Sequence, residues 1–134
     1  MPRILMIEDT TDYRDIISYY LGKTGFTVTT ARDGREGLEK ARGETFDLII
    51  TDLMLPAVSG YEICTLLKQD ARYQKIPIIV LTASKLQPKD EQLAKECGAN
   101  AFFPKSIEPK TLVAHIHEMI AGSPTPPPAP STKA

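Results

Sequence analysis

Phe46-Asp47-Leu48-Ile49-Ile50-Thr51-Asp52-Leu53-Met54-Leu55-Pro56 opens as a short apolar run and turns acidic where the run stops. From Phe46 to Ile50 the run is nearly continuous rather than alternating, the mark of a strand covered on both faces. Ile4-Leu5-Met6-Ile7 and Ile78-Ile79-Val80-Leu81 have the same character. Phe26-Thr27-Val28-Thr29-Thr30 alternates, as a half-covered edge strand does, and Ala101-Phe102-Phe103 makes a short fifth. Between these runs the period becomes helical. Tyr13, Ile16, Ile17, Tyr20 and Leu21 form one apolar stripe; Leu112, Val113, Ile116, Met119 and Ile120 form another. Ser59-Gly60-Tyr61-Glu62 fits a capping box, Asp33-Gly34-Arg35-Glu36 a helix start with an acidic cap, and Pro109 the first helical position. A fifth helix is expected near residues 88–97. Five strands alternating with five helices imply an α/β fold, a doubly wound parallel sheet wrapped by helices on both faces.

The chain has 134 residues, 42% hydrophobic and 25% charged, which fits one domain with an ordinary core. Its 16 basic and 17 acidic side chains leave no excess for wrapping nucleic acid. The start at Met1-Pro2-Arg3 runs into an apolar segment too short for a signal peptide or membrane span. Cys64 and Cys97 lack metal-ligand spacing and read as two buried thiols in a reduced cytosol. Residues 1–122 are thus expected to form the domain. Residues 123–134, with five prolines and no large apolar side chain, are expected to form an extended tail or linker.

In an open parallel sheet, function gathers at the carboxyl ends of the strands, where strand order reverses. The first strand gives way to Glu8-Asp9, the third ends in Asp52, the fourth in Thr82, and the fifth leads to Lys105. If the first and third strands are neighbours, three carboxylates, a hydroxyl and an amine converge on one edge. Two carboxylates about 4 Å apart repel by roughly 4 kcal/mol at an effective dielectric near 20. Either one is protonated or a cation sits among them. A hard divalent cation, Mg²⁺ above all, suits oxygen ligands and favours a phosphoryl donor there. Asp52 is then placed to act as nucleophile and form an acyl phosphate. Lys105 would balance phosphoryl charge, and Thr82 would donate to a phosphoryl oxygen.

Glu8-Asp9, Asp52 followed by Leu53-Met54-Leu55-Pro56 and Gly60, Thr82-Ala83, and Lys105 together resemble the receiver domain of two-component response regulators, over residues 1–121. The resemblance implies a flavodoxin-like sheet in the order 2-1-3-4-5. It implies that Asp52 is the phosphoacceptor, Asp9 a direct Mg²⁺ ligand, Glu8 a ligand mainly through water, and Met54 a ligand through its backbone carbonyl. Thr82 and Phe102 match the family's switch pair: the hydroxyl moves toward the phosphoryl group and the ring turns inward behind it. The implied donor is a histidine of a sensor kinase or a phosphotransfer protein. The implied setting is cytoplasmic, with an output partner that the sequence does not name. The chain is expected to carry only its own phosphorylation and dephosphorylation chemistry, with no membrane and no direct nucleic acid contact. A homodimer through residues 86–120 is one expected arrangement.

Lys105 departs from the family's usual pattern, being followed by Ser106 instead of proline. A Lys-Ser bond disfavours cis by about 2.5–4 kcal/mol. The expectation is therefore a trans bond with a reshaped loop, or a cis bond held against that cost. Met54 and Ser84, two residues beyond Asp52 and Thr82, flank the route of the hydrolytic water in receivers. Neither is a good acid or base at neutral pH, which predicts a long-lived acyl phosphate. The last helix, Leu112-Val113-Ala114-His115-Ile116-His117, lacks the arginines of the winged-helix DNA-binding class. Asp70-Ala71-Arg72-Tyr73 looks more like stand-alone or hybrid-kinase receivers, so the chain is expected to signal by binding a partner or to be a receiver cut at its linker.

Other readings are weaker. Gly22-Lys23-Thr24 lacks the upstream glycine of a nucleotide-binding loop and reads as a helix end, with Gly25 opening the next turn. His115 and His117 fall on different helix faces and read as solvated. An aspartate-nucleophile phosphatase of the haloacid dehalogenase type would want an acid where Met54 stands. A flavin mononucleotide site would want a glycine- and hydroxyl-rich loop where Glu8-Asp9 stands. A degenerate receiver that only binds proteins would have lost an acid or the lysine, and all are present.

Overall fold

The computed structural model describes residues 2–82 and 87–121. The strands are β1 Arg3–Ile7, β2 Thr27–Ala31, β3 Leu48–Asp52, β4 Ile78–Thr82 and β5 Ala101–Pro104. The helices are α1 Thr11–Thr24, α2 Gly34–Gly43, α3 Gly60–Lys68, α4 Pro88–Glu96 and α5 Pro109–Ile120. They alternate along the chain, and the sheet is parallel throughout in the order β2-β1-β3-β4-β5. Ser84 and the segment 123–134, both named above, lie outside the described residues. None of the described helices is long and apolar enough to cross a membrane.

Period-2 alternation splits the buried side chains between two layers. Leu5, Ile7, Ile49, Val80 and Phe102 face one side with α2, α3 and α4, joined by Ile63, Leu67 and Ala94. Ile4, Met6, Ile50, Leu81 and Phe103 face the other with α1 and α5, joined by Ile17, Leu21, Leu112 and Ile116. The central strands β3 and β4 are buried at every position, which is why their sequences run apolar without alternation. Edge strand β2 is exposed or half-buried until Ala31, as its alternating threonines require.

Helix ends follow local chemistry. Ser59 accepts from the Glu62 amide while Glu62 reaches back to the Ser59 amide, closing the capping box. Asp33 caps α2 through the Glu36 amide at 2.8 Å. Gly25, at φ 110°, ends α1 in the left-handed region, where a side chain would be strained.

Three details differ from the sequence reading. β3 begins at Leu48 rather than Phe46: the Asp47 amide bonds out to the Arg3 carbonyl, and Phe46 packs into the α2–α3 layer before the ladder starts. In the α1 stripe, Ile17 and Leu21 are buried but Ile16 is 60% exposed, because only one edge of that stripe meets the sheet. The reading of both α5 histidines as solvated holds for His117, which is exposed with its ring 5.0 Å from that of Phe26, but not for His115, which is half-buried with its ring 4.7 Å from that of Phe103.

Candidate functional site

Strand register assembles the site. Ile7 pairs with Thr51, so the next residue on each side brings Glu8 beside Asp52. Asp52 pairs with Leu81, which sets Thr82 one step beyond, and Thr82 pairs with Pro104, which delivers Lys105. The Lys105 amide then bonds to the Thr82 carbonyl at 3.0 Å. Glu8, Asp9, Asp52, Thr82 and Lys105 therefore meet at one end of the sheet, around the point where β1 and β3 lead their crossovers to opposite sides.

Three carboxylates form the floor. Glu8, Asp9 and Asp52 each offer an oxygen, all within 4.8 Å of one another. Glu8 is fully buried and Asp52 is 8% exposed, whereas Asp9 faces solvent. The Lys105 amine sits between two of them, 2.8 Å from Glu8 Oε2 and 2.8 Å from Asp52 Oδ2. The sequence had placed that amine opposite an incoming phosphoryl group; its partners here are the acids themselves. No peptide bond is cis among the described residues, so Lys105-Ser106 is trans, and the amine reaches Asp52 all the same.

The charges are incompletely compensated. Burial pushes the Glu8 carboxyl up, with Asp52 adding repulsion, and the Lys105 hydrogen bond only partly offsets this. Burial likewise raises Asp52 against the pull of Lys105. Burial works against the lysine's charge too, but hydrogen bonds to Asp52 and Glu8 together lift Lys105 above the ordinary lysine range. Glu8 Oε1 is buried with no hydrogen-bond partner among the described residues. An orphaned carboxylate oxygen beside two more acids, one of them open to solvent, is a donor set suited to a hard divalent cation that keeps some of its waters.

Around this floor, the Met54 amide donates to Asp52 Oδ1 at 3.4 Å, and the Met54 side chain is 68% exposed at the mouth. Thr82 is buried, its hydroxyl donating to the Phe103 carbonyl at 3.4 Å. Phe102 is also buried, in the layer under α3 and α4, so its ring already points inward. Tyr13, which sequence reasoning assigned only to the α1 stripe, belongs here as well. Its ring lies 5.1 Å from the Lys105 amine. Burial and the nearby Glu8 push its hydroxyl up to about 12. The available signal was its place four residues after Asp9, in the first turn of α1.

A family model for the response regulator receiver domain matches residues 4–117. The chain belongs to the response regulator receiver family. This receiver is 37% identical, over 123 residues, to the alkaline phosphatase synthesis transcriptional regulatory protein PhoP of Bacillus subtilis, covering 90% of this chain and 49% of that protein. The chain spans about half the length of the curated relatives it matches. Among solved structures, the receiver domain of a signal transduction histidine kinase from Syntrophus aciditrophicus is 30% identical with a TM-score of 0.86, over 94% of this chain and 95% of that one. The receiver domain of a sensor histidine kinase from Pseudomonas aeruginosa PAO1, solved with a magnesium ion coordinated in its active-site cleft, is 29% identical with a TM-score of 0.81, covering 91% and 98%.

One residue of the receiver is held at a cost. Ala57, in the loop after Asp52, has φ 69°. A left-handed conformation strains an L side chain by about 1–2 kcal/mol, which glycine escapes at some entropic expense. Ala57→Gly is expected to stabilise the fold by about 0.5–1 kcal/mol in urea unfolding, a net of those two effects. An unchanged or lower midpoint would show that the loop relaxes around alanine.

Proposed function

We propose that this receiver captures a phosphoryl group on Asp52 from a phosphohistidine of a sensor kinase or phosphotransfer protein, and that the captured group shifts the domain between two conformations that a partner distinguishes. The convergence of Glu8, Asp9 and Asp52 with the Lys105 amine at 2.8 Å carries the reading. Glu8, Asp9, Asp52 and the Met54 carbonyl would hold Mg²⁺, which when bound supplies charge neutralisation for both the acids and the phosphoryl oxygens.

The chain's own residues do the remainder. An Asp52 carboxylate oxygen attacks phosphorus while the donor's N–P bond breaks, leaving the imidazole of the donor and an acyl phosphate on the receiver. Lys105 exchanges a carboxylate partner for a phosphoryl oxygen, and Thr82 turns its hydroxyl from the Phe103 carbonyl to another. The inward place of Phe102 is the one that such a move of Thr82 leaves open behind it. Converting a 1:99 population to 99:1 requires about 5.5 kcal/mol of differential stabilisation, within reach of several charge-assisted contacts. Ile16 and Tyr19, 60% and 70% exposed on α1, offer an apolar landing surface for the donor. The α4–β5–α5 face is left for an output partner or a second copy. In this reading the receiver is cytoplasmic and acts on no outside substrate, Met54 standing where a turnover phosphatase needs an acid.

Intact mass after incubation with acetyl phosphate tests the proposal. With Mg²⁺ the chain gains one phosphoryl group; with a chelator it gains none. If neither acetyl phosphate nor a phosphohistidine donor adds mass, the chain is a binding-only receiver. The exposed Met54 supports a slow return of the phosphoryl group to water. Met54→Asn, which can orient that water, is expected to shorten the acyl phosphate's half-life about tenfold, or 1.4 kcal/mol of barrier. Equal decay in the two proteins would remove Met54 from that role.

A further inference from the structure

The two cysteines, placed on separate helical segments by the sequence, are brought together by the fold. Cys64 lies in α3 and Cys97 caps the C-terminal end of α4, both buried in the layer that also holds Val80 and Phe102. Their thiols are hydrogen-bonded to each other, and Cys97 Sγ also contacts the Ala94 carbonyl at 3.2 Å. A cation stands close by. Lys68, one turn beyond Cys64, bonds to the carbonyls of Gln74 and Ile76 at 3.1 and 2.9 Å, and its stem passes against Gly98, the residue after Cys97. The Cys64 hydrogen bond lowers the Cys97 thiol below its ordinary value despite burial, while Cys64 itself is held up by that bond and by burial. Two thiols in contact, one of them eased toward its thiolate near a lysine, differ from a pair of inert core cysteines.

α4 is the thinnest cover on the sheet. Of its nine residues only Ala94 is fully buried, so few buried contacts hold the helix down and it can open without disturbing the strands. We propose that Cys64 and Cys97 are a redox dithiol that a small-molecule disulfide closes into a staple between α3 and α4. The Cys97 thiolate attacks one sulfur of the disulfide and expels the other half as a thiolate, leaving a mixed disulfide. The Cys64 thiolate then attacks the Cys97 sulfur and releases the second half. The chain gives up two electrons and two protons, and one small disulfide becomes two thiols. The staple would fasten α4 to the layer beneath the switch residues, independently of whether Asp52 is phosphorylated.

The full chain in native buffer, with oxidised and reduced glutathione at varied ratio, supplies the test. The expected product has lost the mass of two hydrogens, yields a proteolytic fragment linking Cys64 to Cys97, and is monomeric. Its amides from Ala94 to Gly98 exchange about tenfold more slowly than in the reduced chain, as closing an opening motion requires. Thiols that stay open to alkylation after denaturation, a product that stops at the mixed disulfide, or a disulfide-linked dimer would each overturn the dithiol. Equal amide exchange in the oxidised and reduced chains would overturn the staple.

Discussion

Asp52→Asn is expected to abolish phosphoryl uptake from acetyl phosphate and, at the same time, to raise the melting temperature at pH 7 by a few degrees. The first effect follows because the amide has no anionic oxygen to attack phosphorus and no neighbouring carboxylate stands in its place: Glu8 is committed to Lys105 and Asp9 faces solvent. Mass spectrometry reads the loss as an all-or-none difference from the wild type. The second effect follows from the sign of the Asp52 shift. Burial raises its carboxyl above the usual 3.8, so the fold binds that proton more tightly than the unfolded chain does. Stability from this group is full below the unfolded value and is lost as pH rises through the folded one. Once pH has passed the folded value the wild type has lost it, and an uncharged isostere has not. Glu8, raised for the same first reason, adds to the slope, so wild-type stability falls as pH climbs out of the carboxylate range and Asp52→Asn falls less. Mg²⁺ is expected to reverse the comparison, raising the melting temperature of the wild type more than that of the variant. A variant no more stable than wild type in the absence of Mg²⁺ would mean that Lys105 alone satisfies the acids.

Gly60→Ala carries the second large effect. A Cβ there would stand 1.9 Å from the Asp52 carbonyl oxygen and 2.9 Å from the Asp52 carbonyl carbon. The obstacle is backbone, which cannot swing aside as a side-chain tip can. Moreover, the Gly60 amide bonds to the Leu53 carbonyl at 2.9 Å and holds α3 at that distance from the end of β3. Relief requires displacing either α3 or the phosphoacceptor's own peptide. The expected cost is about 3 kcal/mol of unfolding free energy, at the upper end for overpacking. The expected loss in phosphorylation rate is about 100-fold, since a misplacement of an ångström at a nucleophile costs that much. Urea unfolding and the initial rate with acetyl phosphate measure the two separately. Alanine tolerated within 0.5 kcal/mol, roughly the spread of a neutral surface change, would show that α3 retreats without moving Asp52.

Much of this was legible in the chain because it is encoded locally. Four of the five apolar runs lead within two residues to those that the site uses, so reading past their ends at Ile7, Ile50, Leu81 and Phe103 named Glu8, Asp9, Asp52, Thr82 and Lys105 before any geometry was known. The caps at Asp33 and Ser59 are side chains bonding to amides three residues away, and such bonds are visible as spacing. Ile16 shows the limit of that kind of reading. Helical periodicity reports which residues share a face, not how wide a strip of that face the sheet will cover, and Ile16 stands outside the strip.

By itself, then, the sequence determined the alternation of strand and helix, the identity of the acids, hydroxyl and amine, and the membership of Asp52 at a strand end. Those depend on periodicity and on contacts between near neighbours along the chain. Tertiary structure alone decided that the Lys105 amine bridges Glu8 and Asp52 although no proline follows it, that Glu8 Oε1 is left without a partner among the described residues, that Tyr13 borders the lysine, and that Cys64 meets Cys97. The physical reason is common to all four. Each depends on a distance of a few ångströms between segments far apart in sequence, set by sheet register and helix packing, and neither residue type nor spacing carries that distance.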